Sequence, residues 1–279
     1  MTHVRCFGSV RKFAIVTTIA SGLATGLLLA CTAVSSADLR SGGIEAHYSV
    51  TGESKTGNVG GYAYFTSGLN SVDLATGQDQ IAFEGAAMGR SKGLLGNIQY
   101  TGTVAKKAVG ATYTFELTRP NERYVATVAQ PPPVSVTFPA LNEHVVTNAP
   151  FVIRWKAENT GKMKITFSAQ TYQSADGGSL CGAELSYDAD DTGEHSFPAM
   201  RITPVGTQAE GGPTSDASSD AGADAASTTG HGTECPRVVS GILTIARRVP
   251  GTVQPGAGGL KSVEIYAEER TDVPVVFEQ

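Results

Sequence analysis

Apolar and polar side chains alternate at period two along most of this chain beyond residue 30, and no stretch there carries helical periodicity. Tyr113, Phe115 and Leu117 alternate with Thr112, Thr114 and Glu116. Phe151, Ile153 and Trp155 share a face opposite Arg154 and Lys156, and Met163, Ile165 and Phe167 alternate with Lys162, Lys164 and Thr166. Successive side chains of a strand point to opposite faces, so each run buries one face and gives the other to water. Shorter segments of β character occupy 46–50, 61–65, 71–74, 80–83, 97–104, 111–117 and 123–128, and strands resume at 238–249, 262–267 and 273–277. With 33 Gly and 13 Pro among 279 residues, turns are frequent. The pattern predicts an all-β chain built as two tandem antiparallel β-sandwich domains.

Gln130-Pro131-Pro132-Pro133 marks the expected boundary, because three prolines cannot donate to a sheet ladder and hold the chain stiff and extended. The first domain is then 44–129 and the second 134–279. Residues 31–43 are small and polar and read as a flexible tether. Arg119-Pro120-Asn121-Glu122 and Asn159-Thr160-Gly161 read as turns, the latter as a hairpin joining the strands on either side. About 206–233 is Ala, Ser, Gly, Thr and Asp with no large apolar side chain, so it cannot bury enough surface to offset ordering and reads as a disordered insertion.

The opening strand 134–139 after the Pro-rich joint, the lone Trp155 in the middle of the next strand and the expected hairpin resemble immunoglobulin-like or fibronectin-like modules of bacterial surface proteins. The resemblance covers about half of the chain beyond residue 30. It departs from antibody domains, since no cysteines stand on the strands around Trp155, which reads as core and not as a platform for sugars.

Before residue 31 the chain reads as an export signal: Arg5, Arg11 and Lys12 precede an apolar or small run from Phe13 to Ala30. Leu28-Leu29-Ala30-Cys31 resembles the bacterial lipobox, although Leu29 is bulkier than that position's usual occupant. The resemblance implies cleavage before Cys31 and diacylglyceryl transfer to its thiol, for which a thiolate nucleophile is needed. Membrane lipid then becomes a partner through Cys31, and Thr32 in place of an Asp implies the outer membrane. Two other readings stand, ordinary secretion with a cut before Asp38, or an uncleaved span over 13–30.

Loss of residues 1–30 removes three cations and no acid, taking the net charge from −5 to −8, which argues against nucleic acid or anionic lipid as partner. Of the four cysteines, Cys6 leaves with the signal and Cys31 is lipidated or discarded. Cys181 and Cys235 remain and are expected to pair as a disulfide in an oxidising compartment.

Little else carries chemistry. Gly89-Arg90-Ser91-Lys92-Gly93 spells a nucleophile elbow, but an elbow sits between a strand and a helix in an α/β fold, and turn-rich β sequence surrounds this one. Asp188-Ala189-Asp190-Asp191-Thr192-Gly193 starts like a calcium loop, yet Thr192 and Ala199 stand where ligands belong. Asp216, Asp220 and Asp224 lie four apart, wrong for a calcium loop. His3, His47, His144, His195 and His231 show no metal spacing. No catalytic, cofactor-binding or metal site is expected. The reading is a non-enzymatic envelope protein for binding, adhesion or structure, with an unidentified envelope or extracellular partner. An accessory subunit of an envelope assembly and a Ser91 hydrolase are its rivals.

Overall fold

The computed structural model describes residues 33–93, 96–169, 181–182, 184–199, 203–204, 238–254 and 259–278. All its long elements are strands. One large sheet runs in the order Ala33–Ser35, Asn70–Asp73, Asn58–Ser67, Glu45–Glu53, Ser262–Glu278, Val238–Pro250, Lys162–Ala169 and Glu184–Asp190. Two smaller sheets cover it on either half.

The first cover is built from Thr252–Val253, Glu122–Ala129, Thr112–Arg119, Gln80–Phe83 and Ala86–Ala87. Between it and the large sheet lies a core containing Phe65, Phe83, Tyr113, Phe115 and Leu117. Phe83 lies so close over Gly61 that a Cβ there would stand 2.5 Å from its ring, which is why a glycine interrupts that strand. The second cover is Val136–Phe138, Phe151–Trp155 and Glu194–Phe197. Its core holds Ile153, Trp155, Met163, Ile165, Phe167, Phe197 and Phe277. The architecture is an all-β sandwich, as the alternation predicts, and Trp155 is core at 3% exposure.

The two halves share a pair of long strands. Val238–Pro250 pairs antiparallel with Tyr266–Glu278, and Ser262–Arg270 pairs parallel with Glu45–Glu53. Ile265 and Ala267 therefore belong to the first core, and Val273, Val275 and Phe277 to the second. At about 3.3 Å per residue, Ser262–Glu278 runs for about 50 Å. Its outer end lies beside Glu45 and Thr66, and its other end beside His144–Val146.

Several expectations change. Residues 262–278, assigned to the second domain, start in the first core and form one strand, with no break between 267 and 273. The large sheet is mixed, with further parallel pairs at Ala33–Ser35 with Ser71–Asp73 and at His144–Val146 with Val276–Glu278, while both covers are antiparallel. The turn Arg119–Glu122 forms, with Asn121 at φ 63°. Residues 159–161 do not close a hairpin: Phe151–Trp155 pairs with Glu194–Phe197, while Lys162–Ala169 pairs with Glu184–Asp190 and Val238–Pro250, so this connection crosses between sheets.

The expected tether is also built into the first sandwich from Ala33 onward. Ala33–Ser35 forms its parallel ladder, Ser36 and Ser41 are buried, and the Arg119 guanidinium donates to the carbonyls of Ser36 and Leu39 and to Ser41 Oγ. Cys31, Cys235 and the insertion at about 206–233 lie outside the described residues, as does the side chain of Cys181.

Candidate functional site

Ser91 lies within the strand Gly89–Lys92, exposed, with its Oγ donating to the Gln99 carbonyl at 3.2 Å. It occupies a ladder position and not a strand-to-helix elbow. The described histidines have other neighbours: His47 stacks on Tyr64 and lies 3.1 Å from Glu264, His144 lies 3.5 Å from Glu278, and His195 packs against Phe197. Among the described residues no three His, Cys, Asp or Glu side chains gather as a metal site.

Polar side chains converge instead at the joint between the two cores. Arg247 is fully buried, and each of its five N–H groups has an acceptor. Nε donates to Asp191 Oδ2 at 2.9 Å and Nη2 to Asp191 Oδ1 at 3.2 Å. Nη2 also donates to the Lys156 carbonyl at 2.9 Å, and Nη1 to the carbonyls of Pro132 and Pro133 at 3.1 and 2.9 Å. Asp191 further accepts from Trp155 Nε1 at 2.8 Å and from the amides of Glu158 and Thr160. Burial pushes the Asp191 carboxyl up, but the hydrogen bonds from Arg247, Trp155 and Thr160, with the Arg247 charge, outweigh it and hold its pKa below the ordinary value.

A second buried carboxylate closes the other side of the joint. Glu269 accepts from Lys106 Nζ and, at 3.0 Å, from Gln130 Nε2, which also donates to the Pro131 carbonyl. Gln130 Oε1 accepts from Tyr113 OH at 2.8 Å. The Gln130–Pro133 tract, expected as a rigid spacer, is thus held to a buried cation by the Pro132 and Pro133 carbonyls and to a buried anion by the Gln130 side chain. Backbone that cannot pair in a ladder is satisfied by side chains here. This arrangement fixes geometry and offers no reacting group.

Two shallow grooves flank the first sandwich. One, of about 360 Å³, lies at the joint between Ser54, Val134, Pro139, Leu141 and Val273. The other, of about 450 Å³, lies at the outer end between Leu39, Ser41, Asp79, Arg119 and Gly259, where Arg119 Nε donates to Asp79 and its Nη1 and Nη2 hold the segment 36–41 in place.

Of the residues singled out in the sequence, Trp155, Asp191 and the Gln130–Pro133 tract enter the joint. Arg247 and Glu269 were missed, yet each stands at a core-facing position of its strand, two residues beyond Ile245 and Ala267. A charge at such a position is the signal that marks a buried polar network.

No family model matches the chain, and no curated protein matches it. Solved structures similar to it include fibronectin(III)-like modules of Clostridium thermocellum CbhA, at 10% identity, covering 82% of this chain and 87% of that one with a TM-score of 0.22. The pair IG1+IG2 of DIP-gamma is 5% identical over 80% of this chain and 94% of that one, with a TM-score of 0.20. Titin-A168169 is 9% identical over 84% and 99%, with a TM-score of 0.20. Likeness this distant adds nothing to the architecture described above, which stands on the strands and cores themselves.

Proposed function

We propose that this chain is a lipid-anchored cell-envelope protein with a non-enzymatic binding, adhesion or structural role, held through Cys31, at the outer membrane by its Thr32. Its mechanism is display: a rigid pair of sandwiches stands on the anchor and offers its far end to an envelope or extracellular partner. The observation that carries the reading is the placement of Ala33 in the sheet edge at the outer end of the first sandwich, with the second sandwich at the opposite end of the Ser262–Glu278 strand. Ala33, two residues after Cys31 in the sequence, thus stands at one pole, and the second core occupies the other.

In the same compartment Cys181 and Cys235 would form a disulfide, to be read as a mass difference of two hydrogens on reduction. The deciding experiment for the function is intact mass and N-terminal analysis of membrane-extracted protein beside a Cys31→Ser variant. A lipidated chain starting at Cys31, lost in the variant, supports the reading. A soluble chain starting at Asp38 overturns it.

A further inference from the structure

Leu69 is the most exposed large apolar side chain described, at 85% exposure, and it sits in the turn between Asn58–Ser67 and Asn70–Asp73. A single exposed leucine is ordinary. Its position is not. Ala33 pairs with Ser71 in parallel, so the chain enters the sheet from the side on which the Gly68–Leu69 turn projects. Cys31 stands two residues before Ala33, and Leu69 two residues before Ser71. Two residues of chain span at most about 7 Å. A bilayer that held residue 31 would therefore stand within about 20 Å of this turn.

Lys92 adds a second observation. It is exposed and pairs with Ile98, whose amide donates to Ser71 Oγ at 2.9 Å, so a cation flanks the same row. An apolar tip beside a long cationic side chain suits a lipid surface, with the leucine among acyl chains and the ammonium at the phosphates.

We infer that the Gly68–Leu69 turn inserts into the bilayer beside the anchor and seats the first sandwich end-on against the membrane. The inference rests on the anchor reading and holds equally if residues 13–30 remain as an uncleaved span.

The test uses the anchored full chain carrying Leu69→Trp, reconstituted into vesicles of phosphatidylethanolamine and phosphatidylglycerol with or without brominated acyl chains. The protein has one native Trp, Trp155, buried in the far core, so wild type serves as the background. The introduced indole is expected to emit at shorter wavelength than in the Cys31→Ser background and to be quenched severalfold by the brominated chains. Leu141→Trp, at an exposed site beside the joint, is expected to remain unquenched. A chain that floats with the vesicles while the indole at position 69 emits as in water overturns the contact and leaves the anchor standing. Equal quenching at position 141 overturns the end-on seat. A chain that does not float overturns the anchor reading and the contact together.

Discussion

Asp191 Oδ2 accepts from Arg247 Nε at 2.9 Å with both side chains sealed from solvent, although 56 residues separate them in the chain. Removing one member of such a pair leaves an unpaired charge in the interior, which costs about 3–5 kcal/mol. Arg247→Ala should therefore lower the urea midpoint strongly, as followed by Trp155 fluorescence. Arg247→Met with Asp191→Leu should lose less, because no orphan charge remains, though Trp155 Nε1 and two amides lose their acceptor. Lys162→Ala, in an ion pair whose side chains are both about 70% exposed, provides the contrast. Equal effects from Arg247→Ala and Lys162→Ala would refute the assignment.

Acid should act on the same joint. The Asp191 carboxyl is held below its ordinary value, so its stabilisation is fully present above the unfolded-state pKa of about 3.9 and is lost as pH falls through the lower folded value. Glu45, Asp73, Glu116 and Glu122 are also lowered, first by hydrogen bonds from Lys261, Arg90, Arg123 and Ser41 respectively. Stability should be level from neutral pH to about 5 and fall below about 4. Asp191→Asn should flatten part of that fall, and a variant with an unchanged acid slope would remove Asp191 from the account.

The shared long strands couple the cores. Phe115 is fully buried in the first, stacked on Phe83 and Tyr48 at 4.7 and 5.0 Å between ring centres. Phe115→Ala should cost about 3–5 kcal/mol through lost burial and a residual cavity. Because Trp155 reports the second core, its unfolding midpoint should shift with that loss. A Trp155 transition unmoved by Phe115→Ala would mean that the two cores melt separately.

Tyr48 should respond in the opposite direction. Its hydroxyl is buried without a hydrogen-bond partner among the described residues, and desolvation pushes its pKa upward. Tyr48→Phe removes an unsatisfied polar atom while keeping the ring against Phe65 and Phe115. A gain of about 1 kcal/mol in the urea midpoint is expected. A loss would show that the hydroxyl has a partner in solution.

The strands were legible wherever period-two alternation was strict. Phe115 and Leu117, Ile153 and Trp155, and Met163, Ile165 and Phe167 are all buried as their spacing predicts. The pairing of those strands was much less so. The turn at 159–161 looks the same in sequence whether it closes a hairpin or crosses to the facing sheet, since both need a residue at positive φ, here Asn159 and Gly161. The run Glu268-Glu269-Arg270-Thr271-Asp272 reads as a break because charges seldom sit in a core. It continues as strand because Glu269 is satisfied by Lys106 and Gln130, and Arg270 Nη2 by Glu53 at 2.7 Å, partners that only the folded chain brings near. Residues 33–43 lack apolar periodicity and so read as tether, while their order comes from the distant Arg119. The candidate joint was hidden for the same reason: its partners are far apart in sequence.

The parallel ladder between Glu45–Glu53 and Ser262–Arg270 sets how this molecule takes a pull. One strand follows the segment 33–43, and the other runs on to the far end of the second core. Tension between the two poles would slide these strands along each other, stretching the whole row of hydrogen bonds at once instead of opening them one at a time. Force on the far core would thus meet a shear clamp in the first sandwich.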